Sequence, residues 1–204
     1  MRLILAASIM VLAAAGAAHA ETRTVSGFTK VEANAGTDVE VTIGGAFRVE
    51  VTGRDADRIQ TRLSGDALVV EPVRGWSWRG RRQANIRVTM PRVDGLSAAS
   101  GADLVATGLN GGAITLESSS GADLRVSGTC SSFSADASSG ADLSAQNLRC
   151  ESGSVDVSSG ADARVHATGR LDVDASSGGG VVAYGNPAIG NIELSSGGSL
   201  RRAN

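Results

Sequence analysis

Between residues 100 and 199 the chain repeats one short phrase at a near-constant interval. Ser100-Gly101-Ala102-Asp103 returns as Ser120-Gly121-Ala122-Asp123, Ser139-Gly140-Ala141-Asp142 and Ser159-Gly160-Ala161-Asp162. It then relaxes to Ser177-Gly178-Gly179-Gly180 and Ser196-Gly197-Gly198-Ser199. Successive glycines of these six sites are 20, 19, 20, 18 and 19 residues apart. A period near twenty with no helical pattern inside it is the signature of a stacked β-solenoid, in which each repeat buries its apolar face against its neighbours.

The residues around each glycine support this reading. Three residues after it stand Leu104, Leu124, Leu143, Ala163 and Val181, and five residues before it stand Leu96, Leu116, Ala135, Val155, Val173 and Ile192. Small or apolar residues at every second position, on both sides of the glycine, predict two half-buried strands joined at a corner. The glycine is expected to take a backbone shape that a Cβ resists. The serine before it falls on the inward phase, and its hydroxyl is expected to bond a neighbouring coil. The variable segments, such as Thr107-Gly108-Leu109-Asn110 and Gln146-Asn147-Leu148-Arg149, are read as the remaining turns.

The two cysteines, Cys130 and Cys150, are 20 residues apart, one repeat. That places them on adjacent coils in nearly the same column. Strands stack about 4.8 Å apart, inside the Cα separation that a disulfide spans. The spacing therefore predicts a Cys130–Cys150 bridge.

Residues 1–20 read as a signal peptide: Arg2, an apolar run from Leu3 to Ala18, and the small-residue site Ala18-His19-Ala20. No later segment is apolar enough to cross a bilayer as a helix. The expected mature chain, 21–204, suits one domain, located in the periplasm, outside the cell or on its surface. Aromatic residues make up 3% of the chain, too few for an ordinary sandwich core but enough for a narrow solenoid lined with Ala, Val and Leu. Residues 21–96 carry 12 basic and 10 acidic side chains, and residues 97–204 carry 6 and 11. Neither half is basic enough for a nucleic-acid partner.

The N-terminal part, 21–96, lacks the regular glycine register but alternates in Val39-x-Val41-x-Ile43, Phe47-x-Val49-x-Val51, Leu68-x-Val70 and Ile86-x-Val88-x-Met90. These are expected strands, either less regular coils or a β-rich cap over the first open edge of the solenoid. The fold class expected for the whole is all-β, a single-stranded parallel β-helix with 19–20 residues per coil, regular over 97–204.

The opening Val25-Ser26-Gly27-Phe28-Thr29-Lys30-Val31, the strand Asp38-Val39-Glu40-Val41, and Ile86-Arg87-Val88-Thr89-Met90-Pro91 leading into Ser-Gly repeats resemble the head-GIN domain family, labelled putative auto-transporter adhesin. The resemblance covers nearly the whole mature chain. It implies a signal peptide and a single-stranded β-helix in the bacterial envelope. It implies no known activity and brings no functional residue with it.

Two constellations could carry chemistry. Asp103, Asp123, Asp142 and Asp162 form one acidic column, and Glu117, Asp136, Asp156, Asp174 and Glu193 a second. Such rows could recruit Ca²⁺. The favoured reading is that they are solvated and keep the rod soluble, offset in part by Arg125 and Arg164. The other constellation is Arg74-Gly75-Trp76-Ser77-Trp78-Arg79-Gly80-Arg81-Arg82, with both tryptophans of the chain and four arginines. Arg74, Trp76, Trp78, Arg79, Arg81 and Arg82 suit an anionic glycan, a lipid headgroup or a protein partner through stacking and bidentate contacts. The competing reading is a plug that folds its rings over the open end of the solenoid. Enzyme chemistry has little support: the mature chain has one histidine, His166, in a turn, and no free thiol once the bridge forms. No catalytic residue and no cofactor are expected. The expected function is a non-enzymatic recognition module of the envelope, with end-to-end self-association as the alternative and a polysaccharide-acting enzyme as the weakest.

Overall fold

The computed structural model describes residues 20–75 and 83–203. Its elements, in chain order, are β1 (Ala20–Arg23), β2 (Lys30–Asn34), β3 (Asp38–Ile43), β4 (Arg48–Thr52), β5 (Ile59–Ser64), β6 (Ala67–Pro72), β7 (Asn85–Met90), β8 (Gly95–Ala99) and β9 (Asp103–Asn110). They continue with β10 (Ala113–Ser119), β11 (Asp123–Ser138), β12 (Asp142–Val157), β13 (Asp162–Ala167), β14 (Arg170–Ala175), β15 (Gly180–Tyr184), β16 (Ala188–Leu194) and β17 (Ser199–Arg202). Among the described residues a 3-10 turn covers Ala56–Arg58.

The strands stack into two walls that face each other across one core. One wall runs β6, β2, β8, β10, the second halves of β11 and β12, β14 and β16, all parallel. The other runs β7, β3, β9, the first halves of β11 and β12, β13, β15 and β17, again parallel. This is the β-solenoid read from the repeat. Leu104, Leu124 and Leu143 lie in strict cross-strand register and are fully buried. Side chains of one phase fill the core and those of the other face water, so a single-residue slip would turn the whole apolar file outward.

Each repeat turns its first corner on the Ser-Gly pair. The serines Ser100, Ser120, Ser139 and Ser159 have φ of 56°, 55°, 55° and 53°, and each following glycine is also left-handed. The alanine after the glycine donates its N–H back across the corner, as from Ala122 to the Ser119 carbonyl at 3.3 Å. Two consecutive left-handed residues closed by such a bond make a turn of the I′ kind. Corners also bond to one another along the stack: the N–H of Gly121 donates to the Ser139 carbonyl, and that of Gly140 to the Ser159 carbonyl, both at 3.1 Å. The expectation that these serines point inward is overturned. A left-handed residue breaks the two-residue alternation, and every corner serine is exposed.

One further reading is corrected. The segments taken as the remaining turns are mostly extended: β11 and β12 run unbroken from corner to corner, each 16 residues long. They bend at register shifts, between Arg125 and Ser127 and between Ala145 and Arg149, in the manner of β-bulges. The N-terminal part is less regular, as expected, part coil and part cap, and one of its coils keeps the corner of the later repeats. Ala35 and Gly36, with φ of 52° and 75°, make the same corner between β2 and β3. Thr37 takes the buried alanine position and satisfies its hydroxyl by donating to the Asn34 carbonyl at 3.1 Å.

The remainder of this part is a cap. β5 pairs antiparallel with β6, β4 antiparallel with β7, and β1 antiparallel with β4. Arg23 of β1 reaches across to the other wall, donating to the Ile59 carbonyl at 2.7 Å and to the Thr61 hydroxyl at 3.1 Å. Phe28 and Phe47 pack with ring centroids 4.9 Å apart.

Cys130 and Cys150 form the expected disulfide, with Cα atoms 4.5 Å apart on register partners of β11 and β12. No helix among the described residues is long and apolar enough to cross a membrane.

Candidate functional site

The outer faces of the two walls differ in how they handle charge. On one, Asp103, Asp123, Asp142 and Asp162 stand in direct cross-strand register. The structure lengthens this column by a rung, because Asp38 on β3 pairs with Asp103. Asp38 was missed in the sequence although Gly36-Thr37-Asp38 repeats the Gly-x-Asp spacing of the later coils. Arg125 lies 3.4 Å from Asp123 and Arg164 3.5 Å from Asp142, so arginines two positions along relieve this column as expected.

The opposite wall carries Glu117, Asp136, Asp156, Asp174 and Glu193 in register. Among the described residues none of these five is ion-paired. Asp156 sits in the middle. Partial burial first, then the charges of Asp136 and Asp174 on either side, push its carboxyl above the usual range. Among the described residues no three metal-ligating side chains converge on a point; a sheet lays its carboxylates in a line.

Further down the same wall a shallow groove crosses β2, β8 and β10. It exists because Gly95 and Ser97 of β8 are small, whereas Lys30 and Glu32 on one side and Thr115 and Glu117 on the other are not. The Lys30 stem lies over Gly95, where an added Cβ would come within 3.0 Å of it, and its ammonium pairs with Asp66 at 3.2 Å. The sequence signal for the groove was the pair of small residues, Gly95 and Ser97, in columns where the neighbouring strands carry Lys30 and Thr115, and Glu32 and Glu117.

Of the Arg/Trp constellation, Arg74 is exposed just beyond β6, in a turn at the start of the connection to β7. Trp76, Trp78, Arg79, Arg81 and Arg82 lie outside the described residues. The connection spans 73–84, where the coil above turns the same corner with Ala35–Thr37 alone. Its far anchor is fixed: the backbone N–H of Gln83 donates to the Asp55 carboxylate at 3.2 Å. Gly53 lies beneath, so close that an added Cβ would stand 1.9 Å from the Gln83 carbonyl oxygen.

Compared with known proteins, residues 27–187 match the family described as putative auto-transporter adhesin, head GIN domain. The chain belongs to that family. Solved structures resembling this head-GIN domain include a putative adhesin from Bacteroides fragilis, 17% identical, with a TM-score of 0.71 over 91% of this chain and 96% of that one. A putative lipid binding protein from Parabacteroides distasonis, 13% identical, superimposes with a TM-score of 0.57 over 93% and 98%. A putative adhesin from the same species, 14% identical, gives 0.55 over 93% and 98%. At these identities the likeness is one of fold. No curated protein matches the chain. Family and disulfide together suggest an extracellular or surface protein that binds a partner.

Proposed function

We propose that this head-GIN domain is a non-enzymatic recognition module of the bacterial envelope, exported by its N-terminal signal, and that residues 74–82 supply its ligand contacts. The solenoid is the rigid mount, and an anionic glycan is the ligand class. The observation that carries this reading is the length of the 73–84 connection at a corner that needs only a short turn. Extra chain at a rigid corner is where binding residues are commonly carried. Its composition fits the ligand: tryptophan faces stack on sugar rings, and arginine forks hold carboxylate or sulfate groups in two-point contacts.

The test is binding of the purified chain to an array of acidic and neutral glycans, with Trp76→Ala/Trp78→Ala and Arg79→Ala/Arg81→Ala/Arg82→Ala beside the wild type. Binding lost in both variants with an unchanged melting temperature supports the proposal. A lowered melting temperature with intact binding instead makes the segment a plug for the end of the solenoid and overturns it. Anionic vesicles retained where acidic glycans are not would assign the segment to lipid and reject the glycan.

A further inference from the structure

The two ends of the solenoid are finished differently. At the N-terminal end the antiparallel strands β1, β4 and β5 extend the walls, and Arg23 of the edge strand β1 bonds across to the edge strand β5, tying the two walls together. At the other end, among the described residues, β16 pairs only with β14, and β17 only with β15. Their outer edges present unpaired backbone groups. Their core-facing side chains are also uncovered: Ile192 and Leu194 are 49% and 46% exposed, whereas Val173 and Ala175, one coil earlier in the same columns, are 3% and 0% exposed. Bare edge and bare core together mark an association surface.

We infer that this end pairs with the same end of a second copy, β16 of each chain lying antiparallel to β17 of the other about a two-fold axis. Register and charge select this arrangement. In an antiparallel ladder the register that sets Leu194 against Leu200 also sets Glu193 against Arg201. The first pair is on the core phase and joins two apolar side chains. The second is on the outward phase and joins opposite charges, and the two-fold repeats both. Pairing β16 with β16 would bring Glu193 near its own copy, and β17 with β17 would do the same to Arg201; both lose the complementarity. Arg202 stands on the core phase in register with Ala183, yet is exposed. In the proposed register it meets Ile192 of the second copy, with its methylenes along the isoleucine and its guanidinium at the rim. The two-fold uses this same end of both chains, so the contact is isologous and closes at two chains. The inference does not depend on what residues 74–82 bind.

Sedimentation equilibrium of the purified chain tests it, with Glu193→Arg, Arg201→Glu and the double exchange. The wild type should show a monomer–dimer equilibrium. Each single reversal places two like-charge pairs across the axis and should weaken dimerisation about tenfold or more, while the double exchange should recover wild-type affinity to within about threefold. Both reversed side chains are outward-facing, so circular dichroism and melting should stay unchanged. A wild type still monomeric at roughly millimolar concentration, a double exchange no better than the singles, or assemblies growing beyond two chains would each overturn the proposal.

Discussion

Phe133 lies directly over Gly153 on the neighbouring coil, and a Cβ added to that glycine would stand 2.1 Å from the tip of the ring. The column they share otherwise holds Ile114, Leu171 and Ile189, so the missing side chain of one coil makes room for the phenylalanine of the next. Gly153→Ala is therefore expected to destabilise the fold by about 1–3 kcal/mol through overpacking. Adding Phe133→Leu should return most of that loss. Urea melts of the single and double variants check it, and additive losses would show that the contact does not govern the site.

Glycines at a corner and at a bend within a strand should respond differently to the same change. At Gly140, φ is 70° and nothing lies within 4 Å of an added Cβ, so Gly140→Ala meets backbone strain alone, about 1 kcal/mol. At Gly128, φ is 135° and the Cβ would stand 2.3 Å from the Leu109 carbonyl oxygen. Gly128→Ala adds a clash with backbone, and a loss of about 3 kcal/mol or more is expected. Thermal melts of the two variants should separate clearly; equal shifts would refute the distinction.

How far the sequence was legible follows from what each residue reports. Leu104, Leu124 and Leu143 gave the stack because alternation and period both depend on core burial, and Cys130 with Cys150 gave the bridge because one coil step is a disulfide's reach. Ser139 and its equivalents were misplaced because inward and outward phase can be counted only while the backbone stays extended, and a left-handed residue resets the count. The coil of β2 and β3 was hidden because Ala35 replaces the serine and Thr37 the alanine, although Gly36 and Asp38 keep their places. That coil is also stacked out of chain order, between β6–β7 and β8–β9, which no local pattern could encode. The groove at Gly95 needed three strands brought side by side before the small residues became a depression.

The disulfide joins strands that already pair, so its loss should weaken the fold without erasing it. Cys130→Ser/Cys150→Ser closes no 20-residue loop in the unfolded chain, and a loss of about 2–3 kcal/mol is expected in the chain-entropy account. The remaining coils should still fold. Guanidinium unfolding with and without reductant checks this: a fully unfolded reduced chain, or no change in midpoint, would contradict it.

The carboxylates of Asp156 and Asp172 should give stability opposite dependences on pH. Asp156 is held above its ordinary pKa by partial burial and by Asp136 and Asp174 beside it, so the folded chain holds its proton more tightly than the unfolded one. Its contribution is fully present below the unfolded pKa, near 4, and is lost as pH rises through the raised folded value. Asp172 is held below its ordinary pKa, first by the Arg170 guanidinium at 2.7 Å and then by the Asn191 N–H at 2.6 Å. Its contribution is present above the unfolded pKa and disappears as pH falls through the lowered folded value. Asp156→Asn should therefore raise the melting temperature at pH 7, with the gain shrinking toward pH 3 as the wild-type row protonates. Asp172→Asn should lower it at pH 7 and approach the wild type in acid. Melts across this range decide between the two signs. A destabilised Asp156→Asn at neutral pH would contradict the account of Asp156 as a carboxylate strained by burial and by its two acidic neighbours.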